Sequence, residues 1–330
     1  MRPVELVTLG EAMIRLSAPG FARLEQTSTL EVQVGGSEMN TAVTAQRLGL
    51  ASRFVTRLPE TPLGRLVRNK VREQGVDDSG IAWCKGDRVG LYFLEFGASP
   101  RPSAVVYDRA GSAIARARAD AFDWERLVAG TRAFHTSGIT AALGPGTQGC
   151  VVEAVAAARR AGCLVSFDLN YRKKLWSPEE ARAFIAPLME SVDVLITTEE
   201  DIGRVFGIEG EDYAALCEDL VGRFGLKAAV ISVRENVSIW RNRWTAIAHD
   251  GAKLHETNDY ELEIVDRVGG GDALVGGVLY GLIKEDSLKR GLDLGVATSA
   301  LEQTNPGDLN WSSLEEAERL LKGGGRRIER

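Results

Sequence analysis

The chain has 330 residues, a formal net charge of −6, and 44% apolar and 26% charged residues, which suits one large α/β domain with a sizeable core and excludes disordered and collagen-like classes. The acidic balance argues against nucleic acid as a partner, because neutralising phosphates needs a clustered basic surface, and no apolar stretch approaches the ~20 residues of a membrane span. Cys84, Cys150, Cys163 and Cys217 form no CxxC pair, and His135, His249 and His255 fall in no HExxH spacing, so zinc-ribbon, thioredoxin-type and His-based metal chemistry are set aside and reduced thiols in a cytoplasmic protein are expected.

In chain order, "MRPVELVTLG" enters directly on a strand pattern with a Gly stop and leaves no room for a signal peptide. "SEMNTAVTAQRLGL" reads as a helix with Ser37 as N-cap and Gly49 at its stop. Residues 12–34 and 88–109 interrupt the strand–helix rhythm; "RVGLYFLEF" and "SAVVYDR" look like antiparallel strands, and the two segments are read as a lid on a single domain spanning 1–330. "GPGTQG" (144–149) fits GxGxxG, but the strand pattern "AFHTSGI" ends several residues before Gly144, so an ordinary helix entry is preferred to a dinucleotide site. "CLVSFDLN" (163–170), "DVLITT" (193–198) and "AAVISV" (228–233) read as buried strands of a mainly parallel sheet. Ser177, Pro178 and Glu180 open a helix with a capping box, and Ser312 with Glu315 is expected to form a second one before "LEEAERLL". Arg326, Arg327 and Arg330 read as a frayed basic tail.

The stretch "DRVGGGDALVGG" (266–277) carries the chemistry. Helix N-termini present unpaired N–H groups and partial positive charge, and Gly269, Gly270 and Gly271 would let that backbone close around an anion. Asp272 beside such an anion makes sense if it meets a hydroxyl whose proton leaves as a phosphoryl group arrives. The plain alternative is a tight strand-to-helix turn capped by Asp272. No GxxxxGK[ST] segment is present, which excludes a Walker-type NTPase.

"GGSEMNTAVTAQRLG" (35–49) together with "DRVGGGDALVGG" resembles the two signature regions of the ribokinase-like (PfkB) carbohydrate kinases, over about residues 5–320. "GEAMIRLS", "YFLEFGASPRPSAVVYDRAGSAI", "FHTSGIT", "FDLNYRKKLW" and "PGDLN" resemble in particular the 2-keto-3-deoxygluconate kinases of that family. The resemblance implies a three-layer α/β/α core with a small β-sheet lid, and transfer of the γ-phosphoryl of ATP to a primary hydroxyl. In that scheme Asp272 is the base, the Gly269–Asp272 backbone is the anion hole, and Mg²⁺ is held through phosphates and water without a dedicated metal cage. It also implies Gly35, Gly36, Tyr92, Tyr107, Arg109, Arg172 and Asp308 around the substrate, with the two arginines on its carboxylate. Thr198, Asp201, Ser232 and Asp266 would lie towards the nucleotide, and a homodimer or higher homo-oligomer is expected.

Each substrate residue has a bland reading beside this one: cross-strand packing for Tyr92 and Tyr107, a turn former after Pro306 and Gly307 for Asp308. Arg15 stands where neutral-sugar kinases of the family carry an Asp, which favours an acid substrate. The sequence departs from the family at "TEED", with Thr198 in place of Asn, at "ISVREN", which lacks a Gly-rich turn, and at Glu302. Alternatives carried forward are a kinase for another sugar acid or fructose, a non-catalytic sugar-acid binder and an NAD-dependent enzyme.

Overall fold

The structure, a computed structural model, describes residues 3–323 apart from 211 and 239; the basic run at Arg326, Arg327 and Arg330 lies outside the described residues. The elements are β1 (Leu6–Leu9), β2 (Met13–Ser17), β3 (Glu31–Gly35), α1 (Ser37–Leu48), β4 (Ser52–Pro59), α2 (Pro62–Glu73), β5 (Ile81–Cys84), β6 (Gly90–Glu95), β7 (Ala104–Asp108), α3 (Trp124–Val128), β8 (Ala133–Ser137), α4 (Gly138–Ala141) and α5 (Pro145–Arg160). They continue with β9 (Leu164–Asp168), α6 (Pro178–Leu188), β10 (Val194–Thr197), α7 (Glu199–Phe206), α8 (Tyr213–Phe224), β11 (Ala228–Ser238), β12 (Arg241–His249), β13 (Leu254–Glu256), β14 (Tyr260–Glu263), α9 (Gly270–Lys284), α10 (Leu288–Glu302) and α11 (Leu314–Leu321).

The large sheet has the order β13-β12-β11-β10-β9-β8-β1-β4-β5, with β14 also paired to β12. It is parallel from β11 to β5 and antiparallel beyond β11. Strand alternation explains why both faces are covered: Leu195, Ala229 and Ile231 point into a core shared with α5, α6, α7 and α8, while Val194, Ile196, Ala228 and Val230 point into one shared with α9 and α10. The parallel strands that follow β1 run one way across the sheet and those that follow β8 run the other, so the strand order reverses between β1 and β8. Open α/β sheets place ligands outside the carboxyl ends of strands at such a reversal.

A separate four-stranded sheet has the order β3-β2-β6-β7. Its strands fall within the two segments that break the sequence rhythm. The pairs β2–β3 and β6–β7 are antiparallel, as the hairpin-like spacing suggests, but the central pair β2–β6 is parallel because the chain returns to it only after β4, α2 and β5.

Several boundaries differ from the sequence reading. Gly36, not Ser37, is the N-cap of α1, and Ser37 is the first helical residue, its hydroxyl drawn away by Asp272. The second capping box is formed by Ser313 and Glu316, one residue later than Ser312 and Glu315, because the Ser312 N–H is already used by Asn310 Oδ1 at 3.0 Å. The strand beginning at Ala228 continues to Ser238 because β12 pairs antiparallel along it. The box at Ser177 and Glu180 with Pro178 in the first turn, and the left-handed Gly49 closing α1 (φ 104°), are as read. All four cysteines are free and buried.

Candidate active site

One cleft of about 1410 Å³ lies at the carboxyl ends of the strands, lined by both sheets and by the N-terminus of α9. Strand ends deliver its polar groups: Glu11 follows β1, Asp168 closes β9, Thr197 closes β10 and Thr198 follows it, and Ser232 lies on β11. The small sheet contributes Gly35, Tyr92 and Tyr107, and Arg109 follows its last strand.

Helix α9 begins after Gly269, whose left-handed backbone (φ 101°) suits glycine and whose missing side chain makes room for Glu302 Oε1 and the Asp308 carbonyl. No side chain caps this helix. The N–H groups of Gly270, Gly271 and Asp272 belong to a first turn with no intrahelical acceptor, and a Cβ built on the exposed Gly271 would meet only open space. Asp272 lies in that turn, part-buried at the cleft floor. Its Oδ1 accepts from the Ser37 hydroxyl at 2.6 Å and its Oδ2 from Asn40 Nδ2 at 2.7 Å. Burial raises its pKa to about 7, opposed by these two donors and by Arg172 and reinforced by Glu38.

Three further acids surround it. Glu38 is fully buried, with Oε1 accepting from Ser137 and Thr140 and Oε2 unpartnered, and burial pushes its carboxyl upward. Asp168 lines the cleft and is pushed well up by burial and by the Asp272 and Asp201 charges. Glu302 is 1% exposed, neither of its oxygens has a hydrogen-bond partner among the described residues, and burial with nearby Asp266, Asp308 and Asp272 pushes its carboxyl well up. Glu302 was legible in the sequence only as a departure, and no spacing assigns any of the three to this site; the packing of α1, β9 and α10 brings them together.

At the small-sheet end, the Arg109 Nε and Nη2 both donate to Glu11 Oε2, while Glu11 Oε1 accepts from Ser112 at 2.5 Å. Glu11 is 2% exposed, so Arg109 is held in one place by a buried partner. Tyr92 and Tyr107 face each other across β6 and β7 with ring centroids 5.9 Å apart, and Arg109 and Lys174 lie 5.6 and 5.9 Å from the Tyr107 ring centre. Both tyrosines therefore pack across strands and line the cleft.

Gly35 and Gly36 line the cleft, but the sites their Cβ atoms would fill are taken by the Asp308 carboxylate and the Glu11 carbonyl; their smallness serves those contacts. Asp308 lines the cleft with its oxygens engaged by Arg15 and Tyr92. Arg172 also lines it, and its charge acts on Asp168, Asp201 and Asp272. Thr198, Asp201 and Ser232 line the other end: Thr198 caps α7 through the Asp201 N–H, and Asp201 Oδ2 accepts the Tyr171 N–H. Asp266 does not line the cleft. It lies behind it, accepting from Arg15 Nη2 at 2.5 Å and from the Val268 and Gly307 N–H groups. Arg15 is likewise away from the cleft, 1% exposed and paired with both Asp266 and Asp308. Among the described residues, no three His, Cys, Asp or Glu side chains converge as a metal cage, and no helix is long and apolar enough to cross a membrane.

Comparison with known proteins gives a consistent result. The profile of the pfkB family carbohydrate kinases matches residues 4–315. The chain is 40% identical over 326 residues to a 2-dehydro-3-deoxygalactonokinase of Haloferax volcanii, covering 99% of each chain. It is 30% identical to a 2-dehydro-3-deoxygluconokinase of Thermoproteus tenax, covering 97% of this chain and 94% of that one. The crystal structure of 2-dehydro-3-deoxygluconokinase from Thermotoga maritima superposes with a TM-score of 0.94 at 43% identity, covering 97% of this chain and 98% of that one.

Proposed function

The chain belongs to the pfkB family of carbohydrate kinases and is a sugar-acid kinase, and from that premise we propose that it transfers the γ-phosphoryl of ATP to the terminal primary hydroxyl of 2-keto-3-deoxygluconate, giving the 6-phosphate. The observation that carries this reading is a single cleft holding both Asp272, at an uncapped helix N-terminus with a pKa of about 7, and Arg109, fixed by the buried Glu11.

In this reading ionised Asp272 takes the proton of the acceptor hydroxyl as that oxygen bonds to the γ-phosphorus and the bond to the β-phosphate oxygen breaks, releasing ADP. The N–H groups of Gly270, Gly271 and Asp272 face the charge growing on the transferring group. Arg109 binds the substrate carboxylate with the guanidinium face left over from Glu11, and Tyr92 and Tyr107 cover the carbon chain, which makes the small sheet a lid. Arg172, whose field reaches Asp272, helps keep the base ionised as well as holding substrate. Thr198, Asp201 and Ser232 lie where nucleotide would bind, with Asp266 acting from behind through Val268 and Gly307. The oxygen donors there, Thr198, Asp201 and Asp168, suit Mg²⁺ and its waters, and a bound Mg²⁺ would neutralise phosphate charge.

Val32 on β3 and Val106 on β7, on opposite edge strands of the small sheet but in register through Leu16 and Phe93, are 53% and 54% exposed, an apolar row across one face that a second copy would cover; light scattering tests the expected dimer. The function is tested by ADP release with Mg²⁺-ATP over 2-keto-3-deoxygluconate, its galacto epimer, gluconate, fructose and ribose. Turnover confined to the keto-deoxy acids supports the reading, and preference for a neutral sugar refutes the Arg109 assignment.

A further inference from the structure

Asp272 does not stand alone in the cleft: a chain of donors runs to it from the loop after β9. Asn170 Nδ2 donates to Ser37 Oγ at 3.0 Å, and Ser37 Oγ donates to Asp272 Oδ1 at 2.6 Å. A serine hydroxyl has one hydrogen. An ionised carboxylate can only accept, so that hydrogen belongs to Asp272, and Asn170 must present its amide N–H to the serine lone pair. The opposite arrangement, with the Asn170 oxygen facing Ser37, would ask one hydrogen to serve two acceptors. Asn170 is 9% exposed and left-handed (φ 38°), a conformation that asparagine tolerates better than most residues, and its neighbours are pinned by the Leu169 N–H to Ile196 O at 2.9 Å and the Tyr171 N–H to Asp201 Oδ2 at 3.1 Å.

We infer that Asn170 and Ser37 are positioning residues that aim one fixed hydrogen bond at Oδ1 of Asp272, hold that carboxylate in a single rotamer with Asn40 on its other oxygen, and favour its ionised form so that it can take the acceptor proton. The inference rests on the function proposed above and adds residues that the glycine-run signature does not contain. The physical need for them lies in the surroundings. Glu38 on α1 pushes Asp272 up, Asp272 in turn pushes up Asp168 at the end of β9 and Glu302 on α10, and the Arg172 charge acts on Asp272 in the opposite sense. Burial and like charge push the base toward its neutral form, and donors that bond the charged form push it back.

The test is the titration of Asp272 itself, followed by NMR of protein carrying carboxyl-¹³C aspartate, with Asp272→Asn to assign the signal, alongside the pH profile of kcat/KM. Removing the hydroxyl in Ser37→Ala should raise the Asp272 midpoint by about one pH unit, shift the acid limb of the profile by the same amount and leave KM for the sugar acid within about twofold. Asn170→Gly keeps the left-handed backbone and removes only the amide; it should move both readouts in the same direction by less. Ser37→Thr, which keeps a hydroxyl, should return both toward the parent values. An unmoved midpoint in Ser37→Ala overturns the inference, and so does a rise in KM with an unmoved acid limb, which would make Ser37 a substrate contact only. If the parent protein turns over no sugar acid, the proposed function fails, and the carboxyl titration still decides whether Ser37 and Asn170 tune Asp272.

Discussion

At the residue scale the site depends on carboxylates whose charge is set by their neighbours. If Asp272 is the base proposed above it acts only when ionised, so kcat/KM should climb with pH through about 7, the value to which burial raises it, and Asp272→Asn should lower kcat by about 10²–10⁴-fold. The same shift affects stability. Its folded pKa lies above the ordinary aspartate value of 3.8, so between those two values the folded state holds more protons than the unfolded one, and stability is lost as pH rises through that window. Asp272→Asn is therefore expected to be more stable than the parent at pH 8, by on the order of 1–3 kcal/mol, and nearly equal to it at pH 4; urea unfolding at the two pH values measures this. Arg109 tests the substrate end: Arg109→Lys keeps the charge but loses the paired geometry with Glu11, and KM for the sugar acid should rise at least tenfold with a smaller change in kcat. Arg15 shows where residue-by-residue reading stops. Its identity as a departure from the neutral-sugar pattern was legible, but not its burial behind the cleft between Asp266 and Asp308, because pairings 251 and 293 residues apart leave no local trace.

At the element scale the core was legible because buried strands and capped helices leave local signals. The strand at "CLVSFDLN", the box at Ser177 and Glu180 and the stop at Gly49 each follow from side chains a few residues apart. What stayed hidden depended on packing between elements: the parallel pairing of β2 with β6, the extension of β11, and the role of the later glycines in α9. A Cβ on Gly277 would lie 2.3 Å from the Gly295 Cα, and one on Gly281 would lie 2.2 Å from the Gly291 Cα, so α9 and α10 cross at backbone contact. At the far end of α10 the Gln303 carbonyl accepts the Val265 N–H at 2.9 Å and the Asp266 N–H at 3.3 Å, tying the loop before the glycine run to the same helix. Gly277→Val should wedge the helices apart, costing about 1–3 kcal/mol, and should raise KM for ATP more than KM for the sugar acid if the displaced N-terminus of α9 is the anion site proposed above. Denaturant unfolding and initial-rate kinetics on one preparation separate the two effects.

At the scale of the whole molecule, the cleft takes Tyr92 and Tyr107 from the small sheet, Arg109 from just after it, and Asp272 from the first turn of α9, which packs on the large sheet. If the small sheet closes as a lid, the two ligands stabilise one closed state together: the melting-temperature gain with sugar acid and a non-hydrolysable ATP analogue should exceed the sum of the separate gains, and equal sums in differential scanning fluorimetry would mean that the sheet does not move on binding. The link between Arg15 and Asp308 also has a consequence in time. During synthesis the guanidinium leaves the ribosome long before the carboxylates that neutralise it, since its partners lie 251 and 293 residues downstream. At ~5–20 residues per second that delay is roughly 12–60 s. Through that interval Arg15 lacks the carboxylates that neutralise it, and its pairing with Asp308, which ties the small sheet to the back of the cleft, forms only once the last tenth of the protein has been made.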